Sequence, residues 1–451
     1  MTRRRSISLV AVALVAAALL SGYGGASAAP PVEAEATEVV HWNELAATTL
    51  AAVPGPNGGA PPAYQINMGI TQGAVYDAVN AIGPKEYQPY LLKKRFGAKA
   101  STNAAVATAA YDVLVALVSD QRGTAPFPTR ETLLQNLDDE YEASLAAIDD
   151  SPFKKQGIDA GHAAAAAMLA ARVDDGRFGP SPWTLDLRPG HWSPLLGSTG
   201  QPILDPTPWA GDVEPFLIEN SSQFRTAPPL ALDSAAYALE LNEVKALGGT
   251  PVSTRTEFET YAAKWWQSAP TRSWNEVARQ LIARDDLSAA DSARLLALQN
   301  MSGADASINC WNDKYFYDFW RPWNAIVRAG EDGNAATEPD PGWTALITAP
   351  YPEHPSGHNC QDTAHVTILR MYFGDVIQDG FHITSFSGLL GDAAAEPRVR
   401  TFGTFSEPLA ELIDARIWAG LHYRHADIQG QLLGVNVADY GAANHLQPVG
   451  R

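Results

Sequence analysis

The sequence predicts an all-α protein built of helical bundles. Long Ala- and Leu-rich segments carry apolar residues at helical spacing, and strand signals are scarce. A hydrophobic fraction of 46% beside 18% charged residues describes a folded chain with a sizeable core. The periodicity places helices at roughly 36–52, 63–82, 101–119, 130–148, 156–174, 232–248, 254–268, 272–283, 287–329, 358–374, 405–423 and 428–444.

Taken in order, residues 1–28 read as an export signal. Arg3, Arg4 and Arg5 precede an apolar run from Ile7 to Leu20, and Ala26-Ser27-Ala28 forms a small-residue cleavage site. The run is short for a membrane anchor and is followed by Gly, Ser and Pro. The start "RRRSIS" loosely resembles a twin-arginine signal. The mature chain is therefore expected to be secreted. Residues 29–175 form an N-terminal helical half. Residues 176–230 are rich in proline and contain Trp183, Trp192, Trp209 and Phe216, which describes an ordered but irregular strap rather than a disordered linker. Residues 231–451 form a C-terminal helical half.

The formal charge is −18. The first 28 residues contain three arginines and no acid, so their removal gives −18 − 3 = −21. So acidic a surface argues against nucleic acid or an anionic membrane as partner. An anion site on this chain has to be a local positive pocket. The two cysteines, Cys310 and Cys360, lack zinc spacing; an even pair in an exported chain suggests a disulfide.

Three clusters have chemistry in common. In "CWNDKYFYDFWRPWNAI" (310–326), Lys314 and Arg321 are seven apart, which on a helix puts both on nearly one face. Pro322 kinks or ends that helix. In "YPEHPSGHNCQD" (351–362), Pro355 fixes a turn, and Ser356, the Gly357 amide and a helix start near His358 make an anion cradle. A plain Ser cap is the alternative. In "DARIWAGLHYRHADIQG" (414–430), Arg416 and His422 are six apart and reach one ligand only if the helix bends or ends at Gly420. His354 is read as a surface turn histidine, with a place at the entrance of such a site as the alternative.

In chain order the clusters read Lys-x6-Arg-Pro, Pro-Ser-Gly-His and Arg-x5-His. This pattern over residues 314–427 resembles the vanadium-dependent haloperoxidases, in the bacterial and plant-like branch of the superfamily they share with type-2 phosphatidic acid phosphatases and bacterial acid phosphatases. The resemblance implies helical bundles with a vanadate or phosphate site in the C-terminal bundle. It implies that Lys314, Arg321 and Arg416 hold vanadate oxygens with Ser356 and the Gly357 amide. His358 would be the acid–base residue, and His422 would bind vanadium directly. Tyr351 takes the loop position where the family often has an aromatic or a histidine near the halide. The pattern departs at Ala415, where the family has Ser, and at Asp427, which comes one residue later than expected. The partner orienting His422 therefore stays open between Asp427, His425 and a backbone carbonyl. If Lys314 and His358 surround one anion, Cys310 and Cys360 are neighbours, and the pair is expected to be bonded.

The implied activity is oxidation of halide by hydrogen peroxide, with vanadate as cofactor and a small organic acceptor, in a chain that could be oligomeric and binds neither nucleic acid nor membrane. The alternative enzyme is a secreted acid phosphatase acting through a phosphohistidine on His422. A helical binding protein with a vestigial oxyanion pocket is a third class.

Overall fold

The computed structural model describes residues 33–123, 127–180 and 183–450, so the export signal expected over residues 1–28 lies outside the described residues. The chain begins with α1 (Glu33–Ala52), α2 (Pro61–Asn80), α3 (Thr102–Ser119), α4 (Arg130–Ala146) and α5 (Pro152–Ala171). After the strap come α6 (Ala235–Leu247), α7 (Glu257–Trp265), α8 (Pro270–Arg284) and the long α9 (Ala289–Tyr317). Then follow α10 (Pro322–Val327), α11 (Gly357–Phe373), α12 (Ser406–Trp418) and α13 (Arg424–Asn444). Helix starts follow capping chemistry. Ser101, Ser151, Ser234, Thr256 and Ser288 each accept an amide from the first turn with their hydroxyl.

Helix α9 is the axis of the fold. It spans 29 residues, about 43 Å at the α-helical rise, and is buried along most of its length. It packs on α2 toward the N-terminal half and on α11 and α13 toward the C-terminal half. A helix buried on every side is a core helix, and α2 is of the same kind. Helix α3 is apolar and long enough to cross a membrane, but two-thirds of it, 67%, is buried among its neighbours.

The strap is ordered by buried carboxylates. Asp305 of α9 accepts the backbone amides of Phe216, Leu217 and Ile218 at 2.6, 2.6 and 3.0 Å. Asp313 accepts the Thr226 amide and hydroxyl and pairs with Arg225. In return, Asp205 of the strap accepts Trp311 Nε1 and the Tyr315 hydroxyl. An irregular segment leaves its own backbone groups unpaired, and these side chains take them up.

One expectation changes. The segment read as one helix over 287–329 is broken between α9 and α10. Asp318 is left-handed at φ 48°, and Arg321 is extended at φ −75°, ψ 157° before Pro322. The residue before a proline is driven out of the helical region, and Asp tolerates the left-handed one. Among the described residues strands are few, as the scarce strand signals predict. β1 (Gly249–Thr250) pairs antiparallel with β2 (Thr344–Ala345), and β3 (Val376–Thr384) pairs antiparallel with β4 (Val399–Thr404). The β3–β4 ribbon sets Phe381 opposite Phe402 and leans on Trp274 of α8.

Candidate functional site

The three motifs meet, but not by sharing a helix face. Lys314 lies in the last turn of α9, whereas Arg321 lies beyond its end, carried back by the turn at Asp318. Both are fully buried. Both cations lie near the Tyr351 ring, at 5.3 and 5.2 Å from its centroid. The Lys314 ammonium donates to the carbonyls of Pro352, Glu353 and Pro355 at 3.2, 3.0 and 2.5 Å. Its three hydrogens thus hold the turn that opens the second motif, and reaching an anion requires releasing one of them. Burial pushes its pKa down to about 8.

Ser356 caps α11 without a side-chain bond to that helix's amides. Its hydroxyl is turned instead toward Asp427 and accepts Asn359 Nδ2 at 3.2 Å. Its amide donates to the Ala426 carbonyl at 3.0 Å. The first turn of α11 lies close against α13 because a side chain is missing there: a Cβ at Gly430 would sit 2.7 Å from the Ser356 carbonyl oxygen. His358 hydrogen-bonds the Ser268 backbone, a contact favouring the charged ring, so the Ser268 carbonyl accepts. Its Nε2 has no partner. Burial first, then Arg416 and Lys314, hold its pKa well below the ordinary histidine value.

The third motif reaches the same place because α12 ends between its two members. Gly420 is at φ 75°, and a Cβ there would lie 2.6 Å from the Gly248 carbonyl oxygen. His422 follows in the extended link to α13. Its Nε2 lies 3.1 Å from Arg321 Nη1, and its Nδ1 lies 2.7 Å from Glu353 Oε1. Arg321 also donates to the carbonyls of Tyr351 and Leu421. Its Nη2, and Nε and Nη1 of Arg416, are buried without a partner. His422 is held well below the ordinary value by burial first, then by Arg321, Lys314 and Arg416.

A cleft of about 490 Å³ opens on His358, Arg416 and Tyr351. Its walls come from the α1–α2 turn (Val53, Pro54, Pro61), the strap (Asp205, Pro206) and the loop before the second motif (Ala349, Pro350). The pocket is cationic at its floor and largely apolar at its walls.

Sequence reasoning passed over Glu353. It is buried beside His422, and burial raises its pKa to about 8 against the lowering by Arg321 and Lys314. An acid inside a buried-looking "PEHP" turn was the available signal. Asp427 does not reach His422; it pairs with Asn359 at 2.8 Å. His425 hydrogen-bonds the Pro228 carbonyl. His354 is not a surface residue. It is 1% exposed, bonds the Ala227 carbonyl through Nε2 and stacks on His425. The strap covers it, which no local pattern announces. Cys310 and Cys360 are neighbours as expected, close enough for each to act on the other's ionisation, but they are free thiols rather than a disulfide. Cys310 Sγ also faces the Pro355 carbonyl at 3.8 Å, so the pair packs as two buried thiols under the turn.

Residues 294–450 match the family model of the VCPO second helical-bundle domain. Over 200 residues, 37% of this chain, the sequence is 25% identical to vanadium chloroperoxidase of Curvularia inaequalis, and the match spans 32% of that protein's length. The fold is similar to the crystal structure described as the first bacterial vanadium-dependent iodoperoxidase. The TM-score is 0.69 at 20% identity, over 93% of this chain and 97% of that one. It is also similar to a holo-type bacterial vanadium-dependent chloroperoxidase, with a TM-score of 0.64 at 16% identity, over 87% and 93% of the two chains. At those identities the structural likeness establishes the fold.

Proposed function

We propose that this chain, which by its C-terminal domain and its fold belongs with the vanadium haloperoxidases, is a secreted vanadate-dependent haloperoxidase. It oxidises halide with hydrogen peroxide to hypohalous acid or an equivalent halogenating species, which reacts with a small organic acceptor.

One observation carries the reading. Arg321 Nη2, Arg416 Nε and Nη1, and His358 Nε2 are buried without partners; His358 and Arg416 line the cleft, and both lie with Arg321 and Lys314 close enough to His422 to act on its charge. Each unmade hydrogen bond of a buried group costs about 1–3 kcal/mol, more for a charged one. An oxyanion satisfies the guanidinium donors together, so the residues fit vanadate.

Arg321 and Arg416 would hold its oxygens through charge-assisted hydrogen bonds, with the Gly357 amide; Lys314 would join them by releasing one of its three carbonyls, and the Ser356 hydroxyl by turning from Asp427. His422 Nε2 would bind vanadium. When bound, vanadate supplies a Lewis-acid centre that activates peroxide toward halide without a change in metal redox state. The remaining work falls to the protein. His358 is neutral at its unpartnered Nε2 and takes and returns a proton there. Lys314, held over the turn by three carbonyls, keeps a positive charge beside the site. The apolar walls limit water, which strengthens each of these interactions.

The same geometry suits a phosphatase, because His422 Nε2 has a lone pair and a carboxylate behind the ring, as a transient nucleophile requires. The test is to assay the purified protein with and without vanadate, giving it peroxide with chloride, bromide or iodide, and separately a phosphate monoester. Vanadate-dependent halide oxidation is expected, with slow ester turnover that disappears when vanadate is added. Fast ester turnover with no halide oxidation at any vanadate concentration overturns the proposal in favour of the phosphatase.

A further inference from the structure

We infer that Glu353 is the positioning residue of His422: its carboxyl takes the Nδ1 hydrogen and thereby aims the Nε2 lone pair into the anion pocket. The consequence for vanadate rests on the function proposed above; the state of the ring is a property of the protein alone.

The assignment follows from donor and acceptor chemistry. Arg321 Nη1 lies 3.1 Å from His422 Nε2. A guanidinium has donors only and stays charged, so Nε2 accepts and carries no hydrogen. A neutral imidazole then has its one hydrogen on Nδ1, which lies 2.7 Å from Glu353 Oε1. That same oxygen accepts the Tyr423 amide at 3.1 Å, so it is an acceptor on two sides. Any proton on this carboxyl sits on Oε2, which has no partner. The assignment therefore holds whether Glu353 is charged or neutral.

The alternatives are engaged elsewhere. Asp427 accepts from Asn359 and faces Ser356, and His425 bonds the Pro228 carbonyl. Glu353 is itself held firmly. Its amide donates to the Phe319 carbonyl at 2.9 Å, and its own carbonyl accepts Lys314 Nζ at 3.0 Å. One residue of the second motif thus links the first motif, through Lys314, to the third, through His422. A carboxyl behind a metal-binding histidine fixes the ring's tautomer and orientation.

The experiment uses the full chain with 15N-labelled histidine, free of vanadate, with the His422 signals assigned by their loss in His422→Ala. Wild type should show Nδ1 protonated and Nε2 bare. Glu353→Gln, whose amide oxygen still accepts, should keep that state with a hydrogen-bonded, downfield Nδ1 proton; in Glu353→Ala, where Arg321 still donates to Nε2, the tautomer should stay and the Nδ1 proton should move upfield as it loses its acceptor. In equilibrium dialysis, Glu353→Ala should weaken vanadate binding by about 10- to 100-fold and Glu353→Gln by less. Inorganic phosphate, held by the arginines without a bond to a ring nitrogen, should bind all three proteins within about twofold of one another. An Nδ1 proton unchanged in Glu353→Ala overturns the inference. So do equal losses of vanadate and phosphate binding, which mark a merely structural role. Wild type that binds no vanadate defeats the proposed function instead, and the Nδ1 proton measurement still decides the role of Glu353.

Discussion

His358 and His422 are both held neutral by burial among cations, yet they face the pocket differently. His358 is anchored to the Ser268 backbone and has a bare Nε2; His422 is anchored to Glu353 and touches Arg321. A residue that moves protons and a residue that binds the metal should fail differently. His358→Ala should retain vanadate in dialysis while bromide oxidation falls by about 100-fold or more, the usual scale for a lost acid–base group. His422→Ala should lose both vanadate and turnover. Bromide oxidation surviving in His422→Ala would remove that residue from the site. The two thiols give a further check at this scale. Unfolded, unreduced protein should take up two alkyl groups at Cys310 and Cys360, read by intact mass; an uptake of none would restore the disulfide.

At the scale of elements, the strap depends on α9. Asp305 is fully buried and satisfies three consecutive strap amides. Asp305→Ala leaves those amides unpaired and should destabilise the protein by about 3 kcal/mol or more, measured by denaturant unfolding. Its pH dependence has a definite sign. Burial raises the Asp305 carboxyl to about 6 in the folded protein, from about 3.9 in an unfolded chain. The folded state holds that proton more tightly, so this contribution is fully present below about pH 4 and is lost as pH rises to about 6. Asp305→Asn cannot titrate. Its stability relative to wild type should therefore rise by on the order of 2 kcal/mol between pH 4 and 6.5. A difference that stays flat across that range would mean Asp305 ionises normally.

At the scale of the molecule, the cleft is walled by the α1–α2 turn, the strap and the loop before the second motif, while its cationic floor is C-terminal. A shared floor predicts shared anion chemistry. Inorganic phosphate should compete with vanadate for the apo-protein, and Arg416→Ala should weaken both by about tenfold or more, as expected for a lost charge-assisted contact. Phosphate that binds without displacing vanadate would place the two anions at different sites. The chain is formally −18 over the whole sequence, so anions reach this pocket against the general field of the protein.

The sequence by itself determined the helical character, the order of the helices and the three motifs, because amphipathic periodicity and turn chemistry are local properties written within a few residues. Gly420 and Pro322 were legible as breaks for the same reason. Only the tertiary structure decided who partners whom. Lys314 and Arg321 meet through the reversal at Asp318 rather than along one helix face, and His422 chose Glu353, 69 positions away, over nearby Asp427. The covering of His354, the free thiols and the pinning of the strap by Asp305 and Asp313 belong to the same class. Each depends on which polar groups are buried together and must satisfy one another, and burial is set by packing between segments far apart in the chain.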